Sequence, residues 1–277
     1  MAAGSMAAER AVSVADLSPG VASAISPLVR RIVAPNAGPL TGAGTNTYLV
    51  GVDEIVVIDP GPDIASHVDA IVGCGGDRIR WIAVTHAHDD HSAAAGALAA
   101  VTGAEVLAFG TIDDGFELEA TEFRVLALHT PGHSPDHLCY LLEEERMLFS
   151  GDTVIDGSTV AIVPPDGDMA AYLASLERLS SRRLRLRTIA PGHGHLIDDP
   201  ATRLAGYLSH RLEREAAIVA ALEGGASTVD QLVDTVYVDL HPTLREAASQ
   251  TVHAHLLKLA AEGRATGADG AWHPRAA

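Results

Sequence analysis

A layered α/β sandwich over residues 20–200, followed by a smaller helical unit over residues 201–277, is the fold this sequence predicts. Three observations predict it. Short runs rich in β-branched residues alternate with helical patterns up to residue 200, which points to mixed layers rather than an all-β or all-α fold. Polar turns close nearly every run at its C-terminal end and carry most of the histidines and aspartates. Open α/β layers bind ligands at that edge. After Pro200 the short runs give way to long helical patterns.

In chain order, residues 28–33, 47–50 and 54–58 read as strands, and Pro60-Gly61-Pro62 ends the third. Residues 64–72 have helical spacing and stop at Gly73. A buried strand follows at 81–84, then a His-rich turn, then an Ala-rich helix over 92–101 with Ser92 as its expected cap. Residues 106–109, 123–128, 137–142 and 147–149 read as strands, 170–179 as an amphipathic helix and 186–190 as a strand. The tail holds a long helix over 202–222, a short one capped by Ser227 or Thr228, and another opened by Pro242 and ending near Gly263. A short hairpin over 264–273 would complete a winged-helix order.

The 277 residues suffice for one large core, or a core with a small second domain. An apolar fraction of 47% with only 4% aromatics describes a soluble protein built from Ala, Val, Leu and Ile. No run approaches the roughly 18 apolar residues of a membrane span, so no membrane partner is expected. Residues 1–30 lack the basic and apolar blocks of a secretory leader. Cys74 and Cys139, the only cysteines, make no disulfide framework, and a reducing cytoplasm is the simpler expectation. Any metal site must then be built from His and carboxylates.

The net charge of −17 argues against nucleic-acid binding by the whole surface. The charge is uneven. Between residues 178 and 214 stand Arg178, Arg182, Arg183, Arg185, Arg187, Arg203, Arg211 and Arg214 against Asp198, Asp199 and Glu213. That segment is net +5, leaving −22 for the remainder. It reads either as solvated faces or as a basic lip beside a site for an anionic substrate.

Thr85-His86-Ala87-His88-Asp89-Asp90-His91 directly follows a buried strand. Packing alone gives no reason to crowd so many ionisable groups on one turn. Imidazole and carboxylate suit Zn²⁺, with Mn²⁺ or Fe²⁺ as alternatives. His133, Asp152 and His193 each follow a strand and a glycine, in Pro131-Gly132-His133, Ser150-Gly151-Asp152 and Pro191-Gly192-His193. Glycine allows the sharp turn and close approach that a ligand site needs. The recurrence at one architectural position argues that all four turns meet.

With Gly44-Thr45-Asn46-Thr47-Tyr48-Leu49-Val50, Ile58-Asp59-Pro60-Gly61, Asp136-His137 and Tyr207-Leu208-Ser209-His210-Arg211 added, the sequence resembles the metallo-beta-lactamase superfamily over nearly its whole length. It is most similar to the branch of lactamase-beta-like endoribonucleases and related hydrolases with a C-terminal winged helix. The resemblance implies an αβ/βα sandwich with two divalent metal ions at one edge. It assigns His86, His88 and His133 to one ion, Asp90, His91 and His193 to the other, and Asp152 to both. It places Asp59 as an outer carboxylate orienting ligating histidines. Asp90 would also orient the nucleophile.

Two neighbouring cations lower the pKa of a shared water and polarise the electrophile, so direct hydrolysis without a covalent intermediate is expected. His137 and His195 are candidates for protonating the leaving group, with a plain loop role favoured for His195. His210 and Arg211 are candidates for binding a phosphate or carboxylate. The leading expectation is phosphodiester hydrolysis of single-stranded RNA, from the branch resemblance, the basic segment and the winged helix. The alternative is a small thioester or ester, as in glyoxalase II or related thioesterases, which the acidic surface fits better. A true beta-lactamase and a nucleic-acid-binding regulator are further, weaker readings. A homo-oligomer is compatible with all of them.

Overall fold

The structure, a computed structural model, describes residues 17–225 and 227–275. Residues 1–16, which bear most of the leader question, lie outside them. Two sheets face each other. The first is formed by β1 (Ser23–Ala24), β2 (Val29–Val33), β3 (Asn46–Val50), β4 (Ile55–Ile58), β5 (Ile79–Ala83) and β6 (Glu105–Leu107), ordered 1-2-3-4-5-6. The second is formed by β7 (Glu117–Glu119), β8 (Arg124–His129), β9 (Leu138–Leu142), β10 (Met147–Gly151) and β11 (Thr188–Pro191), ordered 11-10-9-8-7. The pairs β4–β5, β5–β6 and β10–β11 are parallel. The other pairs in the two sheets are antiparallel.

The central strands are buried along their length because both faces of each sheet are covered. Val50, Val56, Ile58 and Ala83 meet Val125, Tyr140, Leu142 and Phe149 between the sheets. Behind the first sheet, Leu49, Val57 and Ile82 pack on Val68 and Ile71 of α1 (Ala65–Gly75) and Leu98 of α3 (Ala95–Thr102). Behind the second, Leu141, Leu148 and Ile189 pack on Tyr172, Leu173 and Leu176 of α4 (Met169–Leu179) and on Leu204 and Tyr207 of α5 (Pro200–Glu223). This is the expected αβ/βα sandwich.

The Ser92 cap is not formed. Asp89–Ser92 is itself a helical turn, α2, and the Ser92 hydroxyl donates to the Ala87 and His88 carbonyls. Strands β1 and β7 carry no sequence signal. β7 is Glu-Leu-Glu at a sheet edge, where flanking charge discourages pairing with a second chain.

α5 opens with Pro200 in its first turn, and the Asp199 side chain accepts from the Thr202 N–H. Its apolar stripe serves two cores. Leu204 and Tyr207 face the sandwich, whereas Ile218 and Leu222 join a separate cluster with Leu232 and Val233 of α6 (Val229–Val236) and Val252, Leu256 and Leu259 of α7 (Arg245–Ala261). Thr228 and Gln231 form a reciprocal capping box on α6. Strands β12 (Ala265–Ala268) and β13 (Ala271–Pro274) make the wing hairpin. Glu215 of α5 ties the unit together through Lys258 at 2.9 Å, Arg264 at 3.1 Å and His255 at 3.4 Å. Among the described residues no helix is long and apolar enough to cross a membrane.

Candidate metal centre

The four Gly- and His-bearing turns meet at one edge of the sandwich. The strands explain why: β5, β10 and β11 end there, so His86, Asp152 and His193 leave their sheets on the same side. Asn46, at the start of β3, clamps the last turn by donating to the Pro191 and Gly194 carbonyls, both at 2.9 Å.

Two trios result. His86 Nε2 and His133 Nε2 lie 2.9 and 3.1 Å from His88 Nδ1. Asp90 Oδ2 lies 3.6 Å from His91 Nε2 and 3.3 Å from His193 Nε2. Asp152 stands between them. Its Oδ1 is 3.4 Å from His91 Nε2 and 3.5 Å from His193 Nε2, and its Oδ2 is 3.8 Å from His133 Nε2. A tetrahedral zinc with bonds of about 2.0–2.1 Å would space its ligands by about 3.3 Å. The observed spacings, 2.9–3.8 Å, bracket that value. Nε2 of His91 and Oδ1 of Asp152 are buried without a hydrogen-bond partner among the described residues, as ligand atoms are before a cation satisfies them.

The ring nitrogens facing away from the cluster are held. His91 Nδ1 donates to Asp59 Oδ2 at 2.9 Å, and the same carboxylate accepts from the Thr85 amide and hydroxyl. Asp59 therefore joins the His91 ring to the Thr85 turn. His133 Nδ1 donates to the Ala161 carbonyl at 3.0 Å, and His86 Nδ1 faces the Thr85 hydroxyl at 3.0 Å. These contacts aim Nε2 of each ring at the cluster. Burial, reinforced by neighbouring imidazoles, holds His86 well below the usual histidine range and so in the neutral form that binds metal. Burial opposes charge on His91, but the carboxylates of Asp152 and Asp59 outweigh it and raise its pKa well above 6.5. Burial likewise opposes charge on Asp152, yet His193 and His91 hold its carboxyl well below the ordinary range. The cluster is built around a fixed negative charge.

Two motif glycines are required by space. A Cβ at Gly132, whose φ is +138°, would lie 2.3 Å from Tyr172 Cα. At Gly192 it would lie 2.6 Å from His91 Cε1 and 2.9 Å from Asp152 Oδ1. Gly132→Ala is expected to destabilise the fold, since backbone strain and overpacking each cost about 1–3 kcal/mol. A chemical denaturation curve indistinguishable from wild type would show that α4 yields freely.

Comparison with known proteins agrees with this geometry. A profile of the metallo-beta-lactamase superfamily matches residues 40–113 and 107–193, and one of the beta-lactamase associated winged helix domain matches residues 228–272. The chain belongs to the metallo-beta-lactamase superfamily. It is 32% identical over 265 residues to a beta-lactamase-like protein 2 homolog from Caenorhabditis elegans, covering 86% of each chain. It is also 32% identical over 271 residues to an atrochrysone carboxyl ACP thioesterase from Cryptosporiopsis sp., covering 87% of this chain and 82% of that one. A beta-lactamase domain protein from Burkholderia ambifaria has the same fold, with a TM-score of 0.80 at 20% identity over 96% of this chain and 97% of that one. A metallo-beta-lactamase family protein from Thermus thermophilus, with a TM-score of 0.76 at 23% identity, covers 91% and 100%.

Within this superfamily hydrolase, four sequence expectations need correction. Arg211 is 1% exposed; its guanidinium donates to the Val160 carbonyl and lies 5.2 Å from the Tyr172 ring centre. It cannot receive a substrate phosphate. His210 is half-buried on the same helix, its Nδ1 enclosed, and burial followed by Arg211 and Arg214 pushes its pKa down to about 4. A neutral, enclosed ring is a poor anion ligand.

His137 is fully buried. Its Nε2 accepts from the Asp152 amide at 3.2 Å, and its Nδ1 lies 3.0 Å from the Thr130 hydroxyl. It stacks behind His86, with ring centres 5.0 Å apart, and supports the metal loops instead of facing a leaving group. The basic segment is also misplaced as a lip. Arg182, Arg183, Arg185 and Arg187 are exposed, but they precede β11, whereas His193 follows it. The strand Thr188–Pro191, about 10 Å long at about 3.3 Å per residue, lies between them and the His193 turn.

Asp136, quoted in the motif with His137 but given no role there, is a further contributor. Its Oδ2 accepts from the Ala87 amide at 3.0 Å, tying the His motif to the His133 turn. The acid two residues beyond Ser134 was the available signal.

Proposed function

We propose that the chain is a dinuclear metal-dependent hydrolase acting on a thioester. His86, His88 and His133 would hold one ion, Asp90, His91 and His193 the other, and Asp152 would serve both. Five imidazoles with two carboxylates fit zinc best, and manganese or iron also suits such donors. Such a pair supplies Lewis acidity and lowers the pKa of a bound water toward neutrality.

The chain's own residues do the rest. Asp59 and the Ala161 carbonyl orient His91 and His133. Asp90, at 32% exposure the more open of the two ligand carboxylates, would orient the attacking water. Cys139 offers no competing nucleophile, because it is fully buried and burial pushes its thiol up to about 11.

The observation that carries this reading is the pair of trios sharing Asp152. The substrate class draws support from the relative named as an ACP thioesterase, matched along most of both chains. The basic segment that favoured RNA has lost much of its footing, with Arg211 buried and Arg182, Arg183, Arg185 and Arg187 placed before β11.

Metal-replete protein assayed on acyl thioesters, single-stranded RNA and a chromogenic phosphodiester tests it. Thioester hydrolysis should dominate and change little with salt. RNA cleavage that outpaces it and falls steeply as salt rises, the sign of phosphate contacts, would reinstate the nuclease.

A further inference from the structure

The residues 160–162 form a strap held at three consecutive positions by three different parts of the chain. The Val160 carbonyl accepts from the Arg211 guanidinium of α5. The Ala161 carbonyl accepts from His133 Nδ1 at 3.0 Å. The Ile162 amide donates to the Thr251 hydroxyl of α7 at 3.4 Å. Only the middle contact touches the metal cluster. The outer two come from the helical half of the chain.

We propose that Arg211 is a positioning residue for the metal centre, acting through Val160 and Ala161 on His133, and that Thr251 extends the same control to the winged helix. The inference rests on the reading of His133 as a metal ligand. Burying a guanidinium is costly, and Arg211 has no carboxylate within ion-pair distance among the described residues. Glu215, the nearest acid on its helix face, is committed to His255, Lys258 and Arg264. A methionine would fill the space without that cost. What the guanidinium adds, beside its place over the Tyr172 ring, is a directional bond to one carbonyl.

Tyr207, one turn earlier on α5, shows the same design. Its hydroxyl donates to the Ser158 carbonyl at 2.6 Å, lies 2.9 Å from the Ile155 carbonyl, and accepts from the Ile155 amide at 3.0 Å. α5 therefore fixes the loop leaving Asp152 from its beginning at Ile155 to the strap. A strap fixed on both sides presents the Ala161 oxygen to His133 in one place. This sets the ring's tautomer and the direction of Nε2.

The test compares wild type with Arg211→Met, Arg211→Lys and Thr251→Val. Zinc affinity is measured by competition with a chromophoric chelator, and the His133 Nδ1–H is followed by NMR in metal-free protein. Arg211→Met should weaken zinc binding about 10-fold, the lower end of what losing an outer-shell partner costs, because the Ala161 carbonyl itself remains. It should also broaden or speed the exchange of the His133 proton. Arg211→Lys should recover part of both. Thr251→Val, which is nearly isosteric, should weaken zinc about 5-fold, the equivalent of one hydrogen bond, and serves alone if the Met variant does not fold. Wild-type affinity and an unchanged His133 proton in any folded Arg211→Met protein, or in Thr251→Val, would overturn the proposal. Wild-type protein that binds no zinc would instead overturn the metal reading, and the NMR signal would still report on the strap.

Discussion

Replacing Asp152 with alanine is expected to abolish hydrolysis while the protein stays folded. Its two oxygens address both histidine sets, so no single neighbour can substitute for it. The loss in kcat/KM should exceed the about 100-fold that removal of an outer-shell partner costs. Stability should survive for a related reason. Asp152 Oδ1 has no hydrogen-bond donor among the described residues, so the fold loses a buried charge and not a structural bond. Metal content, steady-state rates and a thermal melt of the metal-free protein measure the three parts. Activity within tenfold of wild type would refute the shared role, and a collapsed melt would make Asp152 a structural residue.

Ending the chain after Gly224 is expected to yield insoluble protein or one that melts without cooperativity. The cut removes α6, α7 and the wing, and uncovers Ile218 and Leu222, which are 0% and 2% exposed in the whole chain. Each large apolar side chain returned to water forfeits about 1.5–3 kcal/mol. The total stability of a domain is only about 5–15 kcal/mol. The cut also removes Thr251 from the strap. A soluble monomer with a wild-type melting profile would show instead that the sandwich and α5 are self-sufficient.

The sandwich and the metal cluster were legible because both are written in local pattern. Strand-ending turns with glycine, histidine and aspartate mark one edge, and close packing at Gly132 and Gly192 requires those glycines. What misled was proximity along the chain. The arginines between residues 178 and 214 look like one patch, yet β11 lies in their midst and separates those before Thr188 from those after Pro191. Arg211 did carry a warning. It lies on the helical stripe of Leu204, Tyr207, Ile218 and Leu222, so its burial follows from period rather than from polarity. The Ala161 carbonyl had no signal at all, because a backbone oxygen has no residue-type signature.

The strap also has a consequence for synthesis. Chains are made at about 5–20 residues per second from the N-terminus. The His86 to His91 motif, His133, Asp152 and His193 therefore all leave the ribosome before the residue that pins the strap from the other side, Thr251. For several seconds a nascent chain holds its full set of ligands with the strap pinned from the Arg211 side alone. A nascent chain stalled just short of Thr251 should accordingly bind zinc more loosely than the finished protein, and the centre would mature only as the last helix docks.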